Sequence, residues 1–253
     1  MEKSNETLKQ FAYASAHDLK EPLRSISSFV SIINARYAKL LPPEASEYMN
    51  FVIVGVKRME SLISALSEYS TVATDEEDVQ KATPISQVLK DINDKQYSLL
   101  LEKNAKIETS GYLPMLKISH LHLNKLFQNL ILNAIKFNDK KPIIQINGRL
   151  EKELYIVEVK DNGIGMKLEY NDKIFRLFQR LSRAAHYEGT GIGLAICKQI
   201  VDRYEGTIRF ESVENEGTTF ILSFPASLIE KEAIQKETVR KDYRLSQVLQ
   251  VSS

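Results

Sequence analysis

The chain has 253 residues, 43% of them hydrophobic, which suits one large or two modest globular domains. Its 34 Lys and Arg residues nearly balance 33 Asp and Glu residues, so the net charge of +1 predicts no general affinity for nucleic acid or an acidic membrane. No apolar run reaches membrane-spanning length, no secretory signal is visible, and a single cysteine, Cys197, excludes an intrachain disulfide framework. We expect Cys197 to be a small buried residue in a chain that belongs to a reducing, cytoplasmic compartment.

Residues from about 4 to 74 carry two long amphipathic helices joined by a proline-containing turn. In both helices apolar residues alternate at spacings of four and three. These positions are Leu19, Leu23, Ile26, Val30, Ile33, Tyr37 and Leu40, then Tyr48, Val52, Gly55, Met59, Leu62, Leu66 and Tyr69. One antiparallel hairpin cannot cover both of its apolar faces, so we predict a homodimer that pairs two hairpins into a four-helix bundle. A coiled-coil spacer without chemistry is the alternative.

His17 lies at heptad position b of the first helix, so it is predicted to point away from the bundle core. Asp18 beside it can orient the ring or accept a proton from one ring nitrogen. Pro22 removes a backbone hydrogen bond to Asp18, so we expect the helix to loosen or kink beside His17. These features distinguish His17 from an ordinary solvated histidine.

An acidic segment near residue 75 marks a change from all-helical to mixed patterning. We therefore predict one domain over residues 1–76, a second over 77–226, and a charged tail over 227–253 that is either helical or a flexible extension. Strands are predicted near 79–83, 106–109, 115–118, 143–150, 154–160, 207–212 and 218–224, and helices over 84–101, 120–137 and 192–204. This order predicts an α+β two-layer sandwich with helices on one face of a mixed sheet.

Three segments of the second domain suit a metal–triphosphate. Asn129, Asn133 and Lys136 fall on one stripe of a helix, where amide oxygens can ligate Mg²⁺ and the ammonium offsets phosphate charge. The glycines of residues 161–165 and 189–194 let the backbone approach a nucleotide closely, and the second cluster opens a helix whose N-terminus favours anions. A Walker-type glycine-lysine loop is absent from the sequence, and neither cluster opens a Rossmann-type unit.

In this order the three segments resemble the N, G1 and G2 boxes of the ATP-binding domain shared by histidine kinases, Hsp90, type II topoisomerases and MutL proteins, the GHKL or Bergerat type. The run His17-Asp-Leu-Lys-Glu-Pro-Leu-Arg24 resembles the H box of sensor histidine kinases, in a form close to that of bacterial phytochromes. Residues 174–181 resemble the F box of the same proteins. The likeness covers residues 5–225, nearly the whole chain except the tail.

The resemblance implies that His17 is phosphorylated by ATP in a Mg²⁺-dependent reaction, with Asp18 as its activating neighbour. It implies onward transfer of the phosphate to an Asp of a response-regulator receiver domain. Asn133 would ligate Mg²⁺ with Asn129 in support, and Asp161 would accept a hydrogen bond from the adenine amine. We also expect an upstream sensor module of PAS, GAF or phytochrome type, whereas cis and trans phosphorylation both stay open.

Residues 167–188 would form a mobile lid that Phe175 and Phe178 anchor on the domain, and Thr219 would close the base pocket. The complete set of ATP contacts that the resemblance implies is Asn129, Asn133, Lys136, Asp161, Gly163, Gly165, Arg180, Gly189, Thr190, Gly191, Gly193, Leu194 and Thr219.

Two departures from the family pattern bear on the reaction. Hydrolases with this fold carry Glu where Asn129 stands, which argues against ATP hydrolysis as the main reaction. Many histidine kinases carry Thr or Asn where this chain has Glu21, so we predict weak phosphatase activity.

The competing interpretations are a chaperone- or topoisomerase-like ATPase and a dimerisation scaffold with a vestigial nucleotide site. His120, His122 and His186 show no metal-ligand pattern and are predicted to be surface or cap residues.

Overall fold

The computed structural model describes residues 2–37, 39–74, 82–167, 173–179 and 189–230, and for residues 2–18, 43, 73 and 74 it describes the backbone alone. Contacts divide the chain into two compact units, Met1–Asp75 with Phe175–Ala195, and Glu76–Ile174 with Ile196–Ser253. None of the helices in the described ranges is both long and apolar enough to cross a membrane.

The first unit contains a hairpin of two long helices, α1 (Glu2–Tyr37) and α2 (Pro43–Thr74), as the heptad spacing predicts. A tight turn joins them, in which the Leu40 backbone N–H donates to the Tyr37 carbonyl at 2.8 Å. Pro43 opens α2, where the missing N–H costs no helical hydrogen bond. Pro22 lies inside α1, and the helix continues through it. The lost hydrogen bond therefore does not end the helix, because the turns on both sides remain bonded.

The apolar residues of the hairpin divide into a buried and an exposed set. Leu23 and Val56 are 8% and 2% exposed, and Val30 and Ile53 are half-buried. The exposed set includes most of the predicted heptad positions: Leu19, Ile26, Ile33, Tyr37, Leu40, Tyr48, Val52 and Met59. One hairpin thus leaves an apolar stripe uncovered along both of its helices.

The second unit is an α+β sandwich built on a five-stranded mixed sheet. Its strands are β2 (Lys106–Gly111), β4 (Ile143–Glu151), β5 (Leu154–Asp161), β6 (Thr207–Val213) and β7 (Gly217–Pro225). The order across the sheet is β2-β4-β5-β7-β6, with β2 parallel to β4 and the other neighbours antiparallel. A separate two-stranded ladder joins β1 (Thr83–Pro84) to β3 (Met115–Leu116).

The remaining helices are α3 (Ile85–Lys95), α4 (Tyr97–Glu102), α5 (His120–Lys136), α6 (Gly193–Arg203) and a 3-10 turn at Ala226–Leu228. The single helix predicted over 84–101 is therefore two helices, because Gln96 leaves the helical conformation at φ −99° and ψ 11°. The strand predicted over 79–83 begins only at Thr83 within the described residues.

One face of the sheet forms the core of this unit. Alternate residues of β4, β5, β6 and β7 point to it and are buried, including Ile144, Ile146, Tyr155, Val157, Val159, Phe220, Leu222 and Phe224. α5 packs on β4 and β5, and its buried residues include Leu123, Leu126, Phe127 and Leu130. Burying each such side chain contributes about 1.5–3 kcal/mol. Asp161 ends β5 on this same face, so the core directs its carboxylate toward the helix layer.

Candidate nucleotide-binding site

The carboxylate of Asp161 is held by the backbone on one side only. Its Oδ1 accepts hydrogen bonds from the backbone N–H groups of Gly163 at 2.8 Å and Thr218 at 3.1 Å. Its Oδ2 makes no hydrogen bond with any residue in the described ranges. Burial raises the pKa of Asp161 above its ordinary value, and the two amide donors oppose that shift. The result is an oriented carboxylate with one oxygen available to a ligand.

The loop after Asp161 lies between the end of α5 and the β6–β7 turn. Ile164 donates its N–H to the Phe137 carbonyl at 2.9 Å, and its own carbonyl accepts from Asn215 N–H at 2.7 Å. A Cβ on Gly163 would lie 2.4 Å from the Phe137 carbonyl oxygen. Gly165 adopts φ +63°, and a Cβ there would lie 2.0 Å from the Val213 carbonyl oxygen. Both positions require glycine because of these contacts with the protein backbone, whereas the predicted close approach to a nucleotide stays a prediction.

Asn129, Asn133 and Lys136 lie half-buried along α5, on the stripe that the helical period predicts. The side-chain NH₂ group of Asn129 donates to the Lys125 carbonyl at 2.9 Å. The side-chain amide of Asn133 makes no hydrogen bond within the described chain. The Lys136 ammonium lies 4.5 Å from the centroid of the Phe137 ring. Because the Phe137 carbonyl also receives Ile164 N–H, the end of α5 and the loop after Asp161 meet at one place.

Asn162 holds the exit from α5, a role that sequence reasoning missed. Its Oδ1 accepts from the Asn138 amide at 2.7 Å and from Ile143 N–H at 2.9 Å, and its Nδ2 donates to the Lys141 carbonyl at 3.0 Å. Three bonds from one side chain fix the loop between α5 and β4 against the Asp161 loop. The tendency of Asn to bond nearby backbone was the available signal, but the partners lie about twenty positions away in sequence.

Thr218, rather than the predicted Thr219, is the threonine of β7 that faces Asp161. Thr219 pairs with Lys160 and Glu211 in the sheet, and neighbouring residues of a strand point to opposite faces. The Thr219 side chain therefore lies on the face away from Asp161. Thr218 occupies the core face, is 5% exposed, and gives its N–H to Asp161. The prediction missed the position by one residue.

The second glycine cluster belongs to the first unit, whereas Asp161 belongs to the second. Gly189, Thr190 and Gly191 precede α6, Gly193 and Leu194 open it, and a Cβ on Gly191 would lie 2.8 Å from the Gln179 carbonyl oxygen. Phe175 is half-buried and Phe178 is 51% exposed, and most of the lid that we predicted them to anchor lies outside the described residues.

Several predicted residues fall outside the described part of the chain. Arg180, His186 and residues 168–172 lie outside it, as do the side chains of His17 and Asp18. The backbone at both His17 and Asp18 is helical and belongs to α1.

The histidine predictions hold for His120 and fail for His122. His120 begins α5 on the surface, and its Nε2 lies 2.8 Å from Asp91 Oδ2. His122 is 1% exposed, with Nδ1 2.8 Å from the Tyr204 hydroxyl, which also accepts from the Ser119 N–H at 3.2 Å. The described residues contain no group of three His, Cys, Asp or Glu side chains that could hold a metal ion.

Cys197 is fully buried on α6, as predicted. Burial raises the pKa of its thiol, which disfavours the reactive thiolate form.

The fold and the Asp161 region define an α+β nucleotide-binding domain that follows a helical hairpin. Residues 119–228 match the family described as "Histidine kinase-, DNA gyrase B-, and HSP90-like ATPase", and residues 7–74 match "His Kinase A (phospho-acceptor) domain". The chain belongs to the histidine kinases, which confirms the resemblance drawn from its motifs.

Known relatives agree with this assignment. The chain is 39% identical over 230 residues to the phytochrome-like protein Cph1 of Synechocystis sp., covering 89% of this chain and 30% of that protein. It also spans 30% of the length of two phytochromes of Nostoc sp..

Two solved structures share the fold. The structure of full-length ShkA in complex with AMPPNP has a TM-score of 0.63 at 17% identity, covering 85% of this chain and 45% of that one. The histidine kinase ThkA in complex with the response regulator protein TrrA has a TM-score of 0.56 at 19% identity, covering 84% and 61%.

Proposed function

We propose that this chain is the catalytic core of a sensor histidine kinase that phosphorylates its own His17 with ATP and Mg²⁺. The phosphate then passes to an Asp of a response-regulator receiver domain. The observation that carries the proposal is the Asp161 carboxylate, with Oδ1 fixed by two backbone N–H groups and Oδ2 without a partner among the described residues. A histidine on a helix of the phosphoacceptor domain stands in the same chain.

Asp161 accounts for the choice of nucleotide. An ionised carboxylate only accepts hydrogen bonds, so Oδ2 suits the exocyclic amine of adenine. Guanine presents a carbonyl oxygen at the equivalent ring position, and two acceptors repel. A buried acceptor left without a donor is costly, which makes such a site selective.

Asn133 suits Mg²⁺ and Lys136 suits phosphate. The Asn133 amide makes no other hydrogen bond in the described chain, so its oxygen can ligate a hard cation. Asn129 lies one turn earlier on α5, and its side-chain NH₂ group donates to the Lys125 carbonyl. Its amide oxygen is therefore left to act on the same side of the helix as Asn133. When bound, Mg²⁺ neutralises charge that develops on the transferring phosphoryl group.

A ring nitrogen of His17 acts as the nucleophile. A nitrogen–phosphorus bond forms to the γ-phosphorus, the bond from that phosphorus to the bridging oxygen breaks, and ADP leaves. Asp18 accepts a hydrogen bond from the other ring nitrogen and stabilises the imidazolium that forms. Since histidine supplies the nucleophile, Asn129 in place of a water-activating Glu fits transfer better than hydrolysis. Glu21 near His17 leads us to expect weak phosphatase activity.

The remaining expectations rest on the hairpin and on the relatives. The exposed apolar stripe of α1 and α2 supports a homodimer through a four-helix bundle. The complex of ThkA with a response regulator supports a receiver domain as the partner. Because the chain spans 30% of its phytochrome relatives, a sensor module in a longer cytoplasmic protein is part of the proposal. We place the phosphoacceptor domain at residues 1–76, the ATP-binding domain at 77–226 and the tail at 227–253.

Calorimetric titration with ATP, with and without Mg²⁺, tests the nucleotide site. Asn133→Ala should remove the gain in affinity that Mg²⁺ gives, while metal-free ADP binding is retained. Asn124→Ala is the control, since Asn124 lies on the opposite side of α5, is half-buried, and its side chain makes no hydrogen bond within the described chain. A gain in ATP affinity from Mg²⁺ that survives in Asn133→Ala contradicts the assignment of Asn133. In a separate assay with γ-labelled ATP, rapid release of phosphate without labelling of the protein favours the ATPase interpretation.

A further inference from the structure

The hydroxyl of Ser212, in β6, joins three segments around Asp161. It accepts a hydrogen bond from Met166 N–H at 2.8 Å, lies 2.9 Å from the Gly217 carbonyl oxygen, and lies 2.9 Å from Thr218 Oγ1. A hydroxyl has one proton and two acceptor sites. Donation to Gly217, with acceptance from Met166 and Thr218, uses all three. Ser212 is therefore fully bonded inside a half-buried site.

Two of these partners, Thr218 and Met166, belong to the backbone segments that hold the Asp161 carboxylate. Thr218 donates its backbone N–H to Oδ1 at 3.1 Å. Met166 ends the glycine loop in which Gly163 donates to the same oxygen at 2.8 Å. Ser212 thus ties together the two backbone segments whose N–H groups fix Oδ1. Whatever fixes Oδ1 also sets the direction in which Oδ2 faces a ligand.

We propose that Ser212 is a positioning residue that keeps Asp161 selective for the exocyclic amine of adenine. This inference rests on the proposed function, because it deepens the account of the same nucleotide site. Without the Ser212 hydroxyl, Met166 N–H and Thr218 Oγ1 lose a half-buried hydrogen-bond partner, and the loop and strand end separate. The carboxylate then turns, and the distinction between an amine and a carbonyl on the base is lost.

The test compares ATP with inosine triphosphate, which carries a carbonyl oxygen where ATP carries the amine. Affinities for both are measured by calorimetry on the full chain and its variants. In Ser212→Ala we expect the preference for ATP over inosine triphosphate to fall by about tenfold, with the affinity for inosine triphosphate nearly unchanged. A purely structural role would weaken both nucleotides equally, so the ratio separates the two.

Matched variants complete the design. Ser212→Thr keeps the hydroxyl and should keep the ratio, and Ser212→Cys, which is close in size but a weak hydrogen-bonding group, should lower it as Ala does. Thr207→Ala removes an exposed hydroxyl from the same strand and should leave the ratio unchanged. The inference is overturned if Ser212→Ala or Ser212→Cys keeps the unaltered ratio, or loses affinity for both nucleotides alike. If the unaltered chain itself shows no preference for ATP, the proposed function fails instead.

Discussion

Gly217 lies directly against the backbone of Asp161: a methyl group on Gly217 would come within 2.0 Å of the Asp161 carbonyl oxygen. Gly217 also adopts φ +125°, in the range that favours glycine. The first residue of β7 therefore packs against the last residue of β5. This contact brings Thr218 N–H to the carboxylate, so the β6–β7 turn belongs to the proposed nucleotide site.

Gly217→Ala should destabilise the second unit by about 2–4 kcal/mol, because it combines a strained φ with a backbone clash. It should also weaken ATP binding, since the clash moves Thr218 away from Asp161. Urea unfolding of the second unit and calorimetry with ATP check both effects. Glu216→Ala is the control in the same turn, where the exposed side chain should be dispensable. Equal stability of the two variants would show that the turn does not pack as described.

Asp161→Asn should reverse the choice of base rather than abolish binding. The Asn oxygen can still accept from Gly163 and Thr218, which places its NH₂ group where Oδ2 stood. A donor at that position repels the adenine amine and suits a carbonyl oxygen. We expect the affinity for ATP to fall at least about tenfold and that for inosine triphosphate to rise. Loss of both nucleotides to the same extent would argue against a direct contact.

The same variant should change how stability depends on pH. Burial raises the pKa of Asp161 in the folded chain above its ordinary value of 3.8. Between 3.8 and the raised pKa the folded state binds more protons than the unfolded state, so this group's contribution to the free energy of unfolding falls as pH rises. Relative to Asp161→Asn, the free energy of unfolding of the unaltered chain should therefore fall as pH rises from 3.8 to the raised pKa. Above that pKa the difference between the two free energies should be constant. Unfolding measured from pH 4 upward on both chains checks the sign.

Tyr204→Phe should destabilise the second unit by about 1–2 kcal/mol, because it leaves the buried Ser119 N–H and His122 Nδ1 without the Tyr204 hydroxyl. Tyr97→Phe is the control, since Tyr97 is 58% exposed. Denaturant unfolding of both variants provides the comparison. Equal stabilities would mean that solvent replaces the Tyr204 hydroxyl at no cost.

Ile33→Glu should dissociate the proposed dimer. Ile33 lies on the exposed apolar stripe of α1, and a carboxylate buried there without a partner opposes association. Val54→Glu is the control, because Val54 is also exposed but lies on another face of α2. Sedimentation velocity should give a monomer for Ile33→Glu and a dimer for Val54→Glu. The same mass for both variants would contradict the stripe as the interface.

Local patterns were sufficient to predict the hairpin, α5 and the position of Asp161. Apolar residues that recur every 3.5 or 2 residues show which face of a helix or strand is buried. An Asp followed by two alternate glycines after a strand rarely serves packing alone. Contacts between distant segments were beyond that reasoning. The burial of His122 depends on Tyr204, which lies 82 positions later.

The Thr219 prediction failed for a related reason. A strand's register decides which of two neighbouring threonines faces the core, and here the contact of Gly217 with Asp161 sets that register. Asn162 likewise depends on Asn138 and Ile143, which the fold alone brings to it.

Incubation with γ-labelled ATP and Mg²⁺, beside the His17→Gln variant, tests the central claim most directly. The label should appear on the unaltered chain, be labile in acid and stable in base, and be absent from His17→Gln. Label that persists on the variant, or phosphate released at equal rates by both chains without labelled protein, would contradict a histidine kinase acting through His17.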